Sequence, residues 1–152
     1  MMLEGSCRCG HIGFTLTSNT PYPYQRCYCG ICRKTAGGGG YAINIMGNAD
    51  TLKITGENHI GEWHAQIGSE TSPAARTFCT RCASSLWLFD PRWPNWVYPL
   101  ASVIDTELPA PPELVHLMLR YKPGWVKFAP GPKDQCFDEY PEESIEEWHK
   151  RR

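Results

Sequence analysis

Cys27-Tyr28-Cys29-Gly30-Ile31-Cys32-Arg33-Lys34 places three cysteines within six residues and follows them with two cations. Cys7 and Cys9 come before it, and Cys79 and Cys82 come after. Seven of the eight cysteines therefore fall into three short clusters. Thiols grouped in this way read as metal ligands. The fold is then a frame that carries distant turns to shared metal ions.

Cys79-Thr80-Arg81-Cys82 has the spacing of a two-thiolate zinc turn. A tetrahedral site needs two more ligands. Cys7-Arg8-Cys9, flanked by Gly5, Ser6 and Gly10, is the natural partner because small neighbours allow a tight turn. Four thiolates leave no open position, so this zinc would be structural. Cys27, Cys29 and Cys32 remain. Three ligands from one loop leave a tetrahedral position vacant, as catalytic zinc requires. Cys136 or a histidine could close it. Cys136 stands in a polar stretch and reads as a spectator thiol, and His64 reads as a structural histidine. Arg33 and Lys34 add positive potential beside the triplet, which favours an anionic thiol substrate. As solvated surface charges they would do nothing further.

Composition bounds the alternatives. A chain of 152 residues, 41% hydrophobic and 12% aromatic, suits one globular domain. A domain of this length buries roughly 70% of its unfolded surface. The net charge of −1 and pI near 6.5 give no nucleic-acid footprint. No apolar run approaches the ~18 residues that span a bilayer. Met1 to Gly5 lacks a basic region followed by an apolar stretch, so no secretory leader is expected. A cytoplasmic setting follows as the expectation, and there disulfides are rare. Iron–sulfur spacings are absent.

Along the chain, Ile12, Phe14 and Leu16 alternate with polar or small residues and predict a strand. Tyr41 to Ile45, Thr51 to Gly56, Glu62 to Ile67, Ser85 to Phe89 and Trp96 to Tyr98 predict further strands. Gly47 to Asp50 and Pro91 to Pro94 predict turns. Gly37 to Gly40 reads either as a flexible loop or as backbone that must lie close to a ligand. Gly68 to Ala75 reads as a loop. Leu114 to Tyr121 favours a strand, and Pro141 to Lys150 a short helix with acids first and bases last. A mainly β domain of short antiparallel strands with a C-terminal helix results, with no linker that would divide it.

The segments Gly5 to Gly10, Cys27 to Lys34, Arg76 to Cys82 and the later stretch His116 to Trp125 resemble the glutathione-dependent formaldehyde-activating enzyme family, which includes the centromere protein V branch. The likeness covers about residues 5–125 and leaves the polar tail 126–152 aside. It implies a compact β-tent fold with two zinc ions per chain. One would sit on Cys7, Cys9, Cys79 and Cys82, the second on Cys27, Cys29 and Cys32. It also implies a carbon–sulfur lyase activity that joins formaldehyde and glutathione as S-hydroxymethylglutathione. Two positions depart from the family pattern. Tyr28 stands where histidine is common, and Ala83 follows Cys82 where glycine is usual.

The function expected is thus a zinc enzyme for a small thiol and an aldehyde, with no nucleic-acid or membrane partner. Cys27, Cys29 and Cys32 form its catalytic centre. Arg33, Lys34 or Arg76 would hold the carboxylates of the thiol. The alternative is a non-catalytic zinc protein that binds glutathione or a protein partner.

Overall fold

A computed structural model describes residues 1–152. In chain order the strands are β1 (Met2–Ser6), β2 (Gly13–Thr17), β3 (Gln25–Cys27), β4 (Ala42–Ile43), β5 (Gly47–Asn48), β6 (Lys53–Thr55), β7 (Ile60–Ile67), β8 (Glu70–Cys79), β9 (Ser85–Phe89), β10 (Trp96–Pro99), β11 (Val115–Leu117) and β12 (Gln135–Cys136). Helix α1 (Gly30–Ala36) follows β3, and α2 (Ile145–Lys150) ends the chain. The chain forms two compact units. Met1–Pro21 and Asn44–Leu108 make the first; Tyr22–Ile43 and Pro109–Arg152 make the second.

The first unit holds two antiparallel sheets, ordered β1-β2-β6 and β5-β10-β9-β8-β7. Alternation along β2 buries Phe14 and Leu16 and leaves Gly13, Thr15 and Thr17 partly exposed. Opposite Phe14 stands Gly5, where a Cβ would lie 2.3 Å from the ring. Leu3, Ile12, Ile45, Leu86 and Val97 complete the core, and Phe14 meets Trp87 edge to face at 5.1 Å. Burying each such side chain contributes about 1.5–3 kcal/mol.

The expected loop at 68–75 is instead the start of β8. Gly68, at φ +63, turns a hairpin, and β8 then runs ten residues. Pro73 lies within β8, although proline cannot donate to a ladder. The register with β7 slips between His64 and Gln66, opposite Pro73, so the missing donor falls in a bulge. Gly47-Asn48, expected as a turn, pairs with β10 as a strand. β1, not expected from the sequence, is the partner of β2.

The second unit holds the sheet β12-β11-β3-β4 and both helices. Here β11 runs parallel to both β3 and β12, so the strands are not antiparallel throughout. β11 is shorter than expected. It stops at Met118, whose φ of 60 leads into a single 3-10 turn over Leu119–Tyr121. The helix expected from Pro141 starts at Ile145, because Ser144 caps it and exchanges hydrogen bonds with Glu147. The tail is anchored. Trp148 stacks on Tyr24 at 4.0 Å and donates its Nε1 hydrogen to Glu113 Oε1 at 2.6 Å. No helix is long and apolar enough to cross a membrane.

Candidate metal centres

Two turns of the first unit bring four sulfurs together. Cys7 and Cys9 lie between β1 and β2, Cys79 ends β8, and Cys82 lies in the following turn. Their sulfurs are all within 4.8 Å of one another. Cys7 to Cys9 is 3.5 Å and Cys9 to Cys79 is 3.8 Å. Zinc–sulfur bonds of about 2.3 Å at tetrahedral angles put sulfurs about 3.8 Å apart, so this donor set fits zinc. Cys7 and Cys79 are buried, and the Ile12 amide donates to the Cys7 sulfur at 3.3 Å.

The thiols divide their protons unequally. Cys82 is held down at about 5, chiefly by the Ser84 hydroxyl. For Cys9 the His11 backbone works downward, but desolvation and the neighbouring sulfurs hold it up at about 11. Four thiols so placed cannot all ionise against one another. A divalent cation is the group that lets them.

The second unit gathers the triplet. Cys27 closes β3, Cys29 is the N-cap of α1, and Cys32 lies in its first turn. The helix was hidden in the sequence by Gly30 and by the glycines that end it. The Cys32 amide donates to the Cys29 sulfur at 3.2 Å, as a capping serine would accept. All three sulfurs lie within 4.8 Å of one another, and no fourth ligand belongs to the group. Hydrogen bonds from Cys27 and then Cys32 outweigh burial and pull Cys29 down to about 2. The same contacts push Cys27 far up. This donor set, too, suits a cation that neutralises all three sulfurs.

The other expected residues are distributed as follows. Arg33 and Lys34 occupy the last turn of α1. Lys34 is exposed, while Arg33 Nε is buried without a hydrogen-bond partner. Arg76 lies on β8 in the first unit, paired with Trp63 and Leu88. His64 is structural: its Nδ1 lies 3.0 Å from the Ser72 carbonyl. Cys136, on β12, is exposed and outside both sulfur groups. Of the glycines, Gly40 has φ +100, and a Cβ there would meet Val126 at 2.3 Å.

Two features were not legible in the sequence. Tyr140, in the tail, is raised by burial and then by the negative charge of Cys29, Cys27 and Cys32, so it stands near the triplet. Tyr28, between two of the cysteines, turns its hydroxyl to His116 Nδ1 at 3.0 Å, and His116 Nε2 lies 3.2 Å from Asp134 Oδ2. No local motif links residues 28, 116 and 134.

Fold and sulfur groups together define a mainly β protein with one four-cysteine and one three-cysteine centre able to hold metal ions. The chain belongs to the glutathione-dependent formaldehyde-activating enzyme family, whose model matches residues 2–118. It is 60% identical over 151 residues to a Halomonas elongata protein that bears the same family name, covering 99% of this chain and 96% of that one. A crystal structure of a Rhodobacter sphaeroides protein shares the fold at TM-score 0.52 and 20% identity, covering 70% of this chain and 91% of that one.

Proposed function

We propose that this chain is a zinc-dependent carbon–sulfur lyase-type enzyme. Its substrates are a small glutathione-like thiol and an aldehyde such as formaldehyde, joined or parted as an S-hydroxymethyl adduct. One observation carries the reading: Cys27, Cys29 and Cys32 gather three sulfur donors with no fourth ligand, in a chain whose family is named for glutathione and formaldehyde. Cys7, Cys9, Cys79 and Cys82 would hold the structural zinc.

Cys27, Cys29 and Cys32 would hold the zinc, which would supply Lewis-acid chemistry that makes a thiol more acidic or polarises a carbonyl. The chain's residues supply the rest. The Cys32 amide fixes the Cys29 sulfur. Arg33 and Lys34 hold the carboxylates of the thiol, and the unpartnered Nε of Arg33 is a donor in want of an acceptor. In the reaction the thiol sulfur bonds to the formaldehyde carbon, the carbonyl π bond opens, and the thiol proton ends on oxygen. No oxidant or reductant is needed. Thiols add to formaldehyde unaided, so the task is chiefly positioning.

The test pairs metal analysis with carbon-13 NMR of labelled formaldehyde and glutathione. Wild-type protein should carry two zinc ions and speed exchange between free and adduct formaldehyde. Cys29→Ser should keep the fold, carry one zinc and lose the acceleration. An active Cys29→Ser protein with two zinc ions would reject the reading.

A further inference from the structure

The sheet of the second unit lines a cleft of about 360 Å³, within the range of small-molecule sites. Alternate residues of its strands face the cleft: Arg26 and Tyr28 from β3 and the residue after it, Leu114 and His116 from the residue before β11 and from β11 itself. Successive side chains of a strand point to opposite faces. Cys27, between Arg26 and Tyr28, therefore points away, and the cleft is not the thiolate centre.

Tyr41, Trp125 and Phe128 give the cleft three aromatic walls. The Arg26 guanidinium lies 4.7 Å from the centre of the Tyr41 ring, which fixes its plane. Arg26 Nε is buried and has no hydrogen-bond partner. Neither Arg26 nor Lys127, the other cation on the lining, takes part in an ion pair. A guanidinium left without an anion in a partly enclosed, aromatic-walled space lacks its ordinary complement.

The one acid of the lining cannot provide it. Asp134 Oδ1 accepts the Leu114 amide at 3.2 Å, and Oδ2 accepts the Gly131 amide at 2.9 Å and faces His116 Nε2 at 3.2 Å. An ionised carboxylate only accepts, so His116 Nε2 carries the hydrogen. In the neutral ring Nδ1 is then the acceptor, and the Tyr28 hydroxyl donates to it. Tyr28 and Arg26 line the same cleft. Asp134 is thus engaged by His116 and two backbone amides and leaves Arg26 without an anion.

We propose that this cleft is a second ligand site, separate from the thiolate centre, and that it takes a small organic carboxylate with a flat apolar body. The carboxylate would meet Arg26, with Lys127 adding charge, and the body would pack against Trp125 and Phe128.

Benzoate and its neutral isostere benzamide test this on the full-length zinc-loaded protein, read by tryptophan fluorescence and by saturation-transfer NMR. Benzoate should bind, and benzamide should bind at least about tenfold more weakly, because only the charged oxygens match a guanidinium. Arg26→Gln should weaken benzoate by about the same factor. Trp125→Ala changes an exposed residue and guards against a folding artefact; it should weaken both probes and remove most of the fluorescence response. Cys29→Ser should leave benzoate binding unchanged, so failure here is distinguishable from failure of the zinc reading. Absence of benzoate binding, equal affinity for the two probes, or undiminished binding by Arg26→Gln would overturn the proposal.

Discussion

The Tyr28 hydroxyl lies 3.0 Å from Nδ1 of His116, a pair buried together and separated by 88 residues of chain. β3 and β11 run parallel, with Arg26 beside His116 and Cys27 beside Leu117, and the Tyr28 amide donates to the Leu117 carbonyl at 3.1 Å. The pair thus ties the strand that delivers the first cysteine of the triplet to its neighbour. Tyr28→Phe removes the donor and leaves a buried ring nitrogen unpaired, which costs about 1–3 kcal/mol. Thermal denaturation should show a melting temperature lower by about 2–10 °C, with zinc content unchanged. An unchanged melt would mean that the hydrogen bond contributes nothing net.

Cys82→Ser should do far more. Structural zinc contributes an apparent ~10–16 kcal/mol in small peptides, against a net stability of roughly 5–15 kcal/mol for most domains. Losing one of four ligands should therefore unfold the first unit. Circular dichroism of this variant should lack the native transition that Cys29→Ser retains. A native melt for Cys82→Ser would show that the four-sulfur group is dispensable.

The cations separate binding from turnover. If Arg33 and Lys34 hold the carboxylates of the thiol, as proposed, Arg33→Ala and Lys34→Ala should each raise the KM for glutathione by about three- to thirtyfold with little change in kcat. A fall in kcat at constant KM would place these residues at the chemistry itself.

Ala83 sits at φ +61, and its amide donates to the Cys79 carbonyl at 2.8 Å to close the Cys79–Cys82 turn. The left-handed conformation costs a non-glycine residue roughly 1–2 kcal/mol, partly offset by the greater unfolded freedom of glycine. Ala83→Gly should thus stabilise the protein by about 0.5–1 kcal/mol and raise the melting temperature by about 1–4 °C. Calorimetry that found a lower value would show that the turn is not strained.

The tail should loosen in acid. His149 packs against Tyr22, Tyr24 and Trp148, its Nε2 is buried without a partner, and burial depresses its protonation to about 4. The unfolded chain takes that proton near pH 6.5. Between about 6.5 and 4 the unfolded state holds more protons, so stability falls as pH drops through this window and is level below it. Glu113 acts in the same direction. Arg152 first, then Trp148 and Arg151, hold it below the usual carboxylate range against the effect of burial, so its contribution is lost as pH falls through its own lowered value. Hydrogen exchange should show α2 opening from pH 6.5 downward, and His149→Gln should flatten the upper part of that profile. An α2 equally protected at pH 7 and pH 4.5 would refute this.

Cysteine spacing by itself determined the two sulfur groups, because a tetrahedral ion accepts few arrangements of short thiol turns. Alternation determined β2, because one buried face imposes a period of two, and a short apolar run determined β9. The tertiary structure alone decided what depends on partners distant in sequence. Pro73 could join β8 only where a bulge spared its missing donor. Cys29 could cap a helix only because α1 has room to follow it. Trp148 turned a polar tail into part of the second core. The Tyr28–His116–Asp134 chain exists because β3 and β11 pair in parallel, a long-range register with no local signature in the sequence.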